Sequence, residues 1–159
     1  LDRRNFIRKT SLSAAALVAA PLLTKGTEPE LERPSMGQYM GDFAAPKLEV
    51  VRAAFIGVGA RGPGHMKFFA GLPGTEVVAI CDLYEDLANK WGEEAKAIGK
   101  GKRHKNVKLY HGDENKWRTM LDEFKPDVVY IATNWKNHAP MAIEAMKKGA
   151  HAFVEVPIA

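Results

Sequence analysis

Three glycines have the spacing that first suggests chemistry in this sequence. The stretch 55-FIGVGARGPGH-65 places Gly57, Gly59 and Gly62 in the pattern G-x-G-x-x-G, directly after an apolar run. Between a strand and a helix, such glycines permit a tight turn, let a pyrophosphate approach the backbone and let the helix pack closely on the strand. The free N–H groups at the start of that helix would face the phosphates. The pattern therefore predicts a nucleotide-binding turn.

An acidic residue at the end of the next apolar run strengthens this prediction. Asp82 stands 25 residues after Gly57. A carboxylate there can accept hydrogen bonds from the adenosine ribose hydroxyls and would repel a 2′-phosphate, which favours NAD over NADP as the cofactor. A helix N-cap is the alternative role for Asp82. Ala60 and Arg61 lie inside the turn and are also expected to bind the cofactor, although the Arg61 side chain faces either the pyrophosphate, as we favour, or solvent.

Strands and helices that could position these residues alternate from residue 49 onwards. Apolar runs predict five strands, at 50–56, 76–81, 107–110, 128–132 and 151–156. Helices are predicted after the glycine turn and at 84–98, 117–124 and 138–148. The inward residues expected in the first and last helices are Met66, Phe69, Ala70, Met141, Ala142, Ala145 and Met146. This alternation predicts an α/β fold with a doubly wound parallel sheet, whose ligands bind beyond the carboxyl ends of the strands.

Two further predicted strands end in residues that could serve the same site. Asn134, Trp135 and His138 follow the fourth predicted strand, where a nicotinamide would lie, and Glu155 and Val156 end the fifth. His138 is the candidate catalytic residue, because an imidazole can act as an acid or a base near neutral pH. The alternatives are a packing role for Trp135 beneath a further domain, and a helix cap or surface histidine at position 138.

Composition excludes several other functions. The net charge is +4, but residues 1–24, with four basic residues and one acid, account for +3 of it. The rest of the chain therefore lacks the clustered basic surface of a nucleic-acid-binding protein. The single cysteine, Cys81, excludes an internal disulfide framework and a cysteine-based zinc site. The five histidines show no metal-ligand spacing, so we predict no metal.

The N-terminal residues 1–24 have the pattern of an export signal. A basic head precedes a mild apolar run from Ser11 to Leu23, which is too short for an ordinary transmembrane helix. The segment 3-RRNFIRK-9 resembles the twin-arginine export motif, which implies export of the folded protein to the periplasm or another extracytoplasmic location, without stable membrane insertion. A disordered or amphipathic basic tail is the alternative. Residues 25–48, with several prolines and glycines, are predicted to be a linker.

These segments together resemble the Gfo/Idh/MocA oxidoreductase family. The resemblance rests on the glycine pattern, Asp82, 132-ATNWKNH-138 and 141-MAIEAMKKGAHAFVEVP-157, and it covers about residues 49–159. It implies a Rossmann-type NAD-binding domain over 49–159. Family members continue into an α/β domain with an open sheet that holds a sugar-like substrate. We therefore expect this chain to be a fragment without that domain, and any homo-oligomer to form through the missing part.

Position 156 departs from the dehydrogenases of that family. They usually end this strand in Glu-Lys-Pro, where the lysine assists proton transfer, whereas this sequence has Val156. The combination of Trp135 and His138 with Glu155 and Val156 is similar to glycoside hydrolase family 109, which contains α-N-acetylgalactosaminidase-like enzymes. That similarity implies a carbohydrate substrate, transient oxidation at C3 by tightly bound NAD, elimination of the aglycone and addition of water. Such enzymes are exceptions to the two-carboxylate scheme of glycoside hydrolysis.

Two other functions stay open on the sequence alone. One is an NAD-dependent sugar or inositol dehydrogenase with net cofactor turnover, and the other is a nucleotide-binding module without catalysis. By the resemblance, the residues expected to contact NAD are Arg61, Asp82, Trp135, His138, Glu155 and Val156.

Overall fold

A computed structural model describes residues 44–100 and 103–158 of the chain. The predicted export signal at 1–24 and most of the predicted linker at 25–48 lie outside the described residues. Within the described ranges, no helix has the length and apolar character needed to cross a membrane.

Strands and helices alternate along the described residues. The strands are β1 (Val51–Ile56), β2 (Thr75–Cys81), β3 (Lys108–Tyr110), β4 (Val128–Ile131) and β5 (His151–Val154). The helices are α1 (Gly62–Gly71), α2 (Glu85–Ile98), α3 (Lys116–Glu123) and α4 (Trp135–Lys147). All neighbouring strands are parallel and lie in the order β3-β2-β1-β4-β5. This is the doubly wound α/β sheet that the apolar runs predicted, with β1 at its centre.

Two hydrophobic clusters, one on each face of the sheet, explain why the strands are apolar almost throughout. Successive residues of a strand point to opposite faces. Phe55 therefore joins the cluster with Met66 of α1 and Ile80, whereas Ile56 joins the cluster with Met141 of α4. A strand buried on both faces needs apolar side chains at successive positions, which is the pattern of Ala53–Ile56 in β1 and Val77–Cys81 in β2.

The last helix differs from its sequence prediction in two respects. It begins at Trp135 rather than at residue 138, and Pro140 lies inside it. Met146, which was predicted to face inward, is 55% exposed, so that prediction was wrong. The buried stripe of α4 runs through His138, Met141, Ala142 and Ala145. Because each helical residue turns by about 100°, Met146 falls past the edge of that stripe.

Candidate dinucleotide-binding site

The carboxyl edge of the sheet brings most of the predicted residues into one row. Backbone hydrogen bonds continue one residue beyond the strands: Gly57 N–H donates to Cys81 (2.8 Å), Ala132 N–H to Ile56 (2.9 Å) and Glu155 N–H to Ile131 (3.0 Å). The N–H of Asp82 likewise donates to Tyr110 (3.0 Å). These bonds fix Asp82, Gly57, Ala132 and Glu155 in that order along the edge, which is where open α/β sheets bind their ligands.

Each glycine of the turn meets a different steric demand. Gly57 has a φ of +86°, and a Cβ there would lie 2.6 Å from the Ala132 carbonyl oxygen. A Cβ on Gly62 would lie 2.0 Å from the Gly57 carbonyl oxygen, so the helix can pack on the turn only without a side chain. A Cβ on Gly59 would meet nothing within 4 Å. Gly59 therefore borders open space, as the position next to a pyrophosphate must.

The N-terminus of α1 directly follows this turn, and the N–H of Gly64 in its first turn donates to the Arg61 carbonyl (3.1 Å). Within the described residues no side chain caps the helix and no acidic residue occupies its first turn. Pro63 lies at the helix start, where its missing N–H costs nothing. Ala60 and Arg61 are exposed beside it, and contact between the Arg61 side chain and a phosphate stays a prediction. An uncapped helix start next to the open backbone at Gly59 fits a pyrophosphate.

Asp82 joins the glycine turn to the end of β2. Its Oδ2 accepts from the N–H of Val58 (2.7 Å) and its Oδ1 from the N–H of Tyr84 (3.0 Å). The N-cap of α2 is Tyr84, so the alternative of a helix cap at Asp82 does not describe this geometry. A carboxylate has about four acceptor sites, so two backbone bonds leave capacity for ribose hydroxyls. The predicted ribose role thus fits the carboxylate, which the two bonds hold in place.

A cleft of about 330 Å³ opens beside these residues. Gly57, Gly59 and Asp82 line one side of it, and Asn134 lies on another. Other residues of its wall include Leu83, Leu87, Asp113, Glu114, Ala132 and Met141. The sequence analysis missed Asp113 and Glu114, which follow the short strand β3 and share the carboxyl edge with Asp82 because β3 and β2 are parallel neighbours. Apolar walls with a few polar groups are typical of small-molecule sites.

His138 lies beneath the surface rather than in the cleft. The residue is only 1% exposed, and its Nδ1 lies 2.8 Å from the Pro157 carbonyl oxygen. Its Nε2 lies 3.0 Å from the Thr133 carbonyl oxygen. Carbonyl oxygens only accept, so both hydrogen bonds form together only when both ring nitrogens carry protons. The imidazole thereby ties the segment after β5 to the segment after β4. An acid–base role for His138 would require one bond to open, and it stays a prediction.

The remaining predicted residues lie near the end of β5 and the start of α4. Trp135 is 69% exposed and Val156 is 81% exposed. Neither lines the cleft, so their predicted contacts with a cofactor stay predictions. Glu155 Oε1 accepts from His65 Nε2 (2.6 Å) and from the Tyr130 hydroxyl (3.4 Å). The hydrogen bond from His65 is the main cause that lowers the pKa of Glu155.

His65 and Tyr130 were missed by sequence reasoning. The available signal was the position of His65 three residues after Gly62, which puts it in the first turn of α1. Among the described residues, no group of three or more His, Cys, Asp or Glu side chains is arranged to hold a metal ion.

Comparison with known proteins identifies the domain. Residues 51–159 match the GFO_IDH_MocA family model, whose description is an oxidoreductase family with an NAD-binding Rossmann fold. This chain belongs to the Gfo/Idh/MocA family. The doubly wound sheet is therefore that of an NAD-binding Rossmann domain, and the roles of the glycine turn and of Asp82 within it stay predictions.

Similar proteins include both glycosidases and dehydrogenases. An α-N-acetylgalactosaminidase of Shewanella oneidensis is 41% identical over 160 residues, which cover 100% of this chain and 34% of that protein. Glycosyl hydrolase family 109 protein 2 of Akkermansia muciniphila is 40% identical, over 99% of this chain and 35% of its own length. A solved myo-inositol dehydrogenase of Lactobacillus casei, in complex with NAD(H) and myo-inositol, is 27% identical with a TM-score of 0.57, over 69% of this chain and 29% of that one. The chain spans about a third of the length of the curated relatives that it matches.

Proposed function

We propose that this chain is the cofactor domain of an exported glycosidase that retains NAD and acts on an N-acetylgalactosamine-type carbohydrate. The observation that carries the proposal is Val156 at the carboxyl end of β5. The residue is 81% exposed, lies two positions beyond the end of β5, and has no ionisable group. At this position the family's dehydrogenases usually carry the lysine that assists proton transfer. The names of the relatives at 40–41% identity support the same choice.

The chain's own residues would bind and orient the cofactor in this proposal. When bound, NAD supplies reversible hydride exchange with a substrate C–H bond. The turn between Gly57 and Gly62 and the start of α1 would hold the pyrophosphate, and Asp82 would hold the adenosine ribose. The hydrogen bonds of His138 to the Thr133 and Pro157 carbonyls would keep the β4 and β5 ends in register beside the cofactor.

An assay on the full-length protein that contains this domain tests the proposal. The protein, purified without added NAD, is expected to release nitrophenol from p-nitrophenyl α-N-acetylgalactosaminide without accumulating NADH. The Gly59→Ala variant should lose this activity, because its methyl group occupies the open side of the turn. Gly64→Ala is the matched control and should stay active, since a Cβ there also meets nothing within 4 Å and lies outside the glycine pattern. Hydrolysis that survives Gly59→Ala unchanged would refute the cofactor's part in the reaction.

A sugar or inositol dehydrogenase is the second candidate. The likeness to the myo-inositol dehydrogenase favours it. This candidate predicts stoichiometric NADH from NAD and a free sugar or inositol, measured by absorbance at 340 nm, with no cleavage of the nitrophenyl glycoside. A protein that binds NAD but gives neither product would instead be a nucleotide-binding module without catalysis.

A further inference from the structure

A hydrogen-bonded cluster outside the cleft joins α1, β4 and the end of β5. Its members are His65, Tyr130 and Glu155, and we name it the His65 cluster. Nε2 of His65 lies 2.6 Å from Oε1 of Glu155, and the Tyr130 hydroxyl lies 3.4 Å from the same oxygen. The rings of His65 and Tyr130 stack with their centroids 4.4 Å apart. Two donors and one stacked ring therefore fix the orientation of this carboxylate.

The His65 cluster lies on the opposite side of the glycine turn from Asp82. The strand order puts β2, with Asp82 at its end, on one side of β1, and β4 and β5, with Glu155 at the end, on the other. A dinucleotide has one ribose on each side of its pyrophosphate. With the pyrophosphate at the turn and the adenosine ribose at Asp82, the second ribose extends over β4 and β5. Each half of the cofactor would then meet one carboxylate at the sheet edge.

Glu155 has the protonation state and the accessibility that this role needs. Its side chain is 23% exposed and that of His65 is 42% exposed, so a ligand can reach both. The hydrogen bond from His65 holds the pKa of Glu155 below its ordinary value, so the group is an acceptor at neutral pH. A carboxylate accepts stronger hydrogen bonds than a neutral group. Because His65 and Tyr130 already restrain its side chain, Glu155 loses less rotamer freedom when a ligand binds.

We propose that His65 is a positioning residue for the nicotinamide half of NAD: it holds Glu155 so that the carboxylate accepts hydrogen bonds from the hydroxyls of the second ribose. The inference rests on the NAD site of the proposed function. His65 lies in the first turn of the helix that faces the pyrophosphate, so one short helix segment would organise both parts of the site. Glu155 would be the direct contact, and His65 would act through it.

Calorimetric titration of the 159-residue chain with ADP, ADP-ribose and NAD+ tests this role. ADP lacks the second ribose, ADP-ribose has it without nicotinamide, and NAD+ has both. His65→Ala is expected to weaken ADP-ribose and NAD+ about tenfold, the size of one charge-assisted hydrogen bond, and to leave ADP unchanged. Glu155→Ala should have the same selective effect. His65→Gln, which retains a side-chain N–H donor, should recover most of the affinity.

The double variant separates positioning from an independent contact. If His65 acts through Glu155, the His65→Ala and Glu155→Ala double variant should bind no more weakly than Glu155→Ala alone. Additive losses, an unchanged NAD+ affinity in His65→Ala, or an equal loss for ADP would each overturn the inference. A wild-type chain that binds none of the three probes would overturn the proposed NAD site as well. A wild-type chain that binds them all, with His65→Ala indistinguishable from it, would overturn this inference alone.

Discussion

Three glycines in and beside the turn should respond differently to the same added methyl group. At Gly62 a Cβ would stand 2.0 Å from the Gly57 carbonyl oxygen and 3.0 Å from the Gly57 carbonyl carbon. Both are backbone atoms, so no side-chain rotation can relieve the clash and the helix start must move away from the turn. Overpacking of this kind costs about 3 kcal/mol, which is a large share of the stability of a small domain. Gly62→Ala should therefore lower the Tm by about 12 °C or more.

Gly59→Ala should leave the stability intact and affect ligand binding. A Cβ there meets nothing within 4 Å, so we expect the free energy of unfolding to change by less than about 0.5 kcal/mol. The methyl group would occupy the space where the pyrophosphate approaches the backbone. We expect NAD+ affinity to fall at least about tenfold, which is a loss of about 1.4 kcal/mol.

Gly64→Ala is the control for both variants. It lies within α1, and its Cβ also meets nothing within 4 Å. Alanine favours a helix over glycine by about 0.5–1 kcal/mol, so this variant should be slightly more stable and should bind NAD+ normally. Urea unfolding followed by circular dichroism measures the stability, and calorimetry measures the affinity. Equal stability of Gly62→Ala and Gly64→Ala, or normal NAD+ binding by Gly59→Ala, would refute the assignment of the turn.

Three further predictions concern buried groups. Burial raises the pKa of Cys81 to about 12 from 9.0, so its thiol should react with Ellman's reagent only after unfolding, and fast labelling of the native chain would contradict this. Because the folded-state pKa is the higher one, the contribution of the neutral thiol to the free energy of unfolding is complete below pH 9.0 and is lost as the pH rises towards 12. His104→Ala should lower the free energy of unfolding by about 2 kcal/mol, since it removes the acceptor of the Val77 N–H and the partner of the Ala70 carbonyl, and an unchanged urea midpoint would contradict this. His138→Ala should cost a similar amount, because Thr133 and Pro157 then lose their shared partner, and an unchanged melting temperature would show that the two bonds add nothing.

The order of elements could be predicted because the strands β1 and β2 are buried on both faces. Uninterrupted apolar runs such as 53–56 and 77–81 are not typical of a half-solvated strand, so the sequence indicated a covered parallel sheet directly. The start of α4 was less predictable. A start at residue 138 would place Pro140 in the first turn, where proline is tolerated, whereas the helix includes three residues before that point. The inward prediction for Met146 failed for a separate reason, because Met146 lies one residue past Ala145 and beyond the edge of the buried stripe.

The part of the site that could be predicted is the glycine turn, because its residue types and spacing form a known pattern. Gly57 and Gly62 could be assigned because a Cβ at either position would clash with backbone atoms, whereas Gly59 could be assigned only from its place in the pattern. The hydrogen bond that Asp82 accepts from the Val58 N–H could not be predicted, because it depends on how closely the turn approaches the end of β2. The pairing of His65 with Glu155 spans 90 residues of sequence, and no local pattern encodes such a contact. The stacking of the His65 ring on the Tyr130 ring could not be predicted for the same reason.

The most direct test of the NAD site is a pair of titrations with NAD+ and NADP+ on the wild-type chain and on Asp82→Asn. Asparagine keeps one acceptor oxygen, so only one of the Val58 and Tyr84 N–H groups retains its partner, and it removes the charge that repels a 2′-phosphate. We predict that the wild-type chain binds NAD+ saturably and binds NADP+ at least about tenfold more weakly. In Asp82→Asn the ratio of the two dissociation constants should fall, because NADP+ binding improves. Equal affinity of the wild-type chain for the two dinucleotides, or a preference that Asp82→Asn leaves unchanged, would contradict the placement of the adenosine ribose at Asp82.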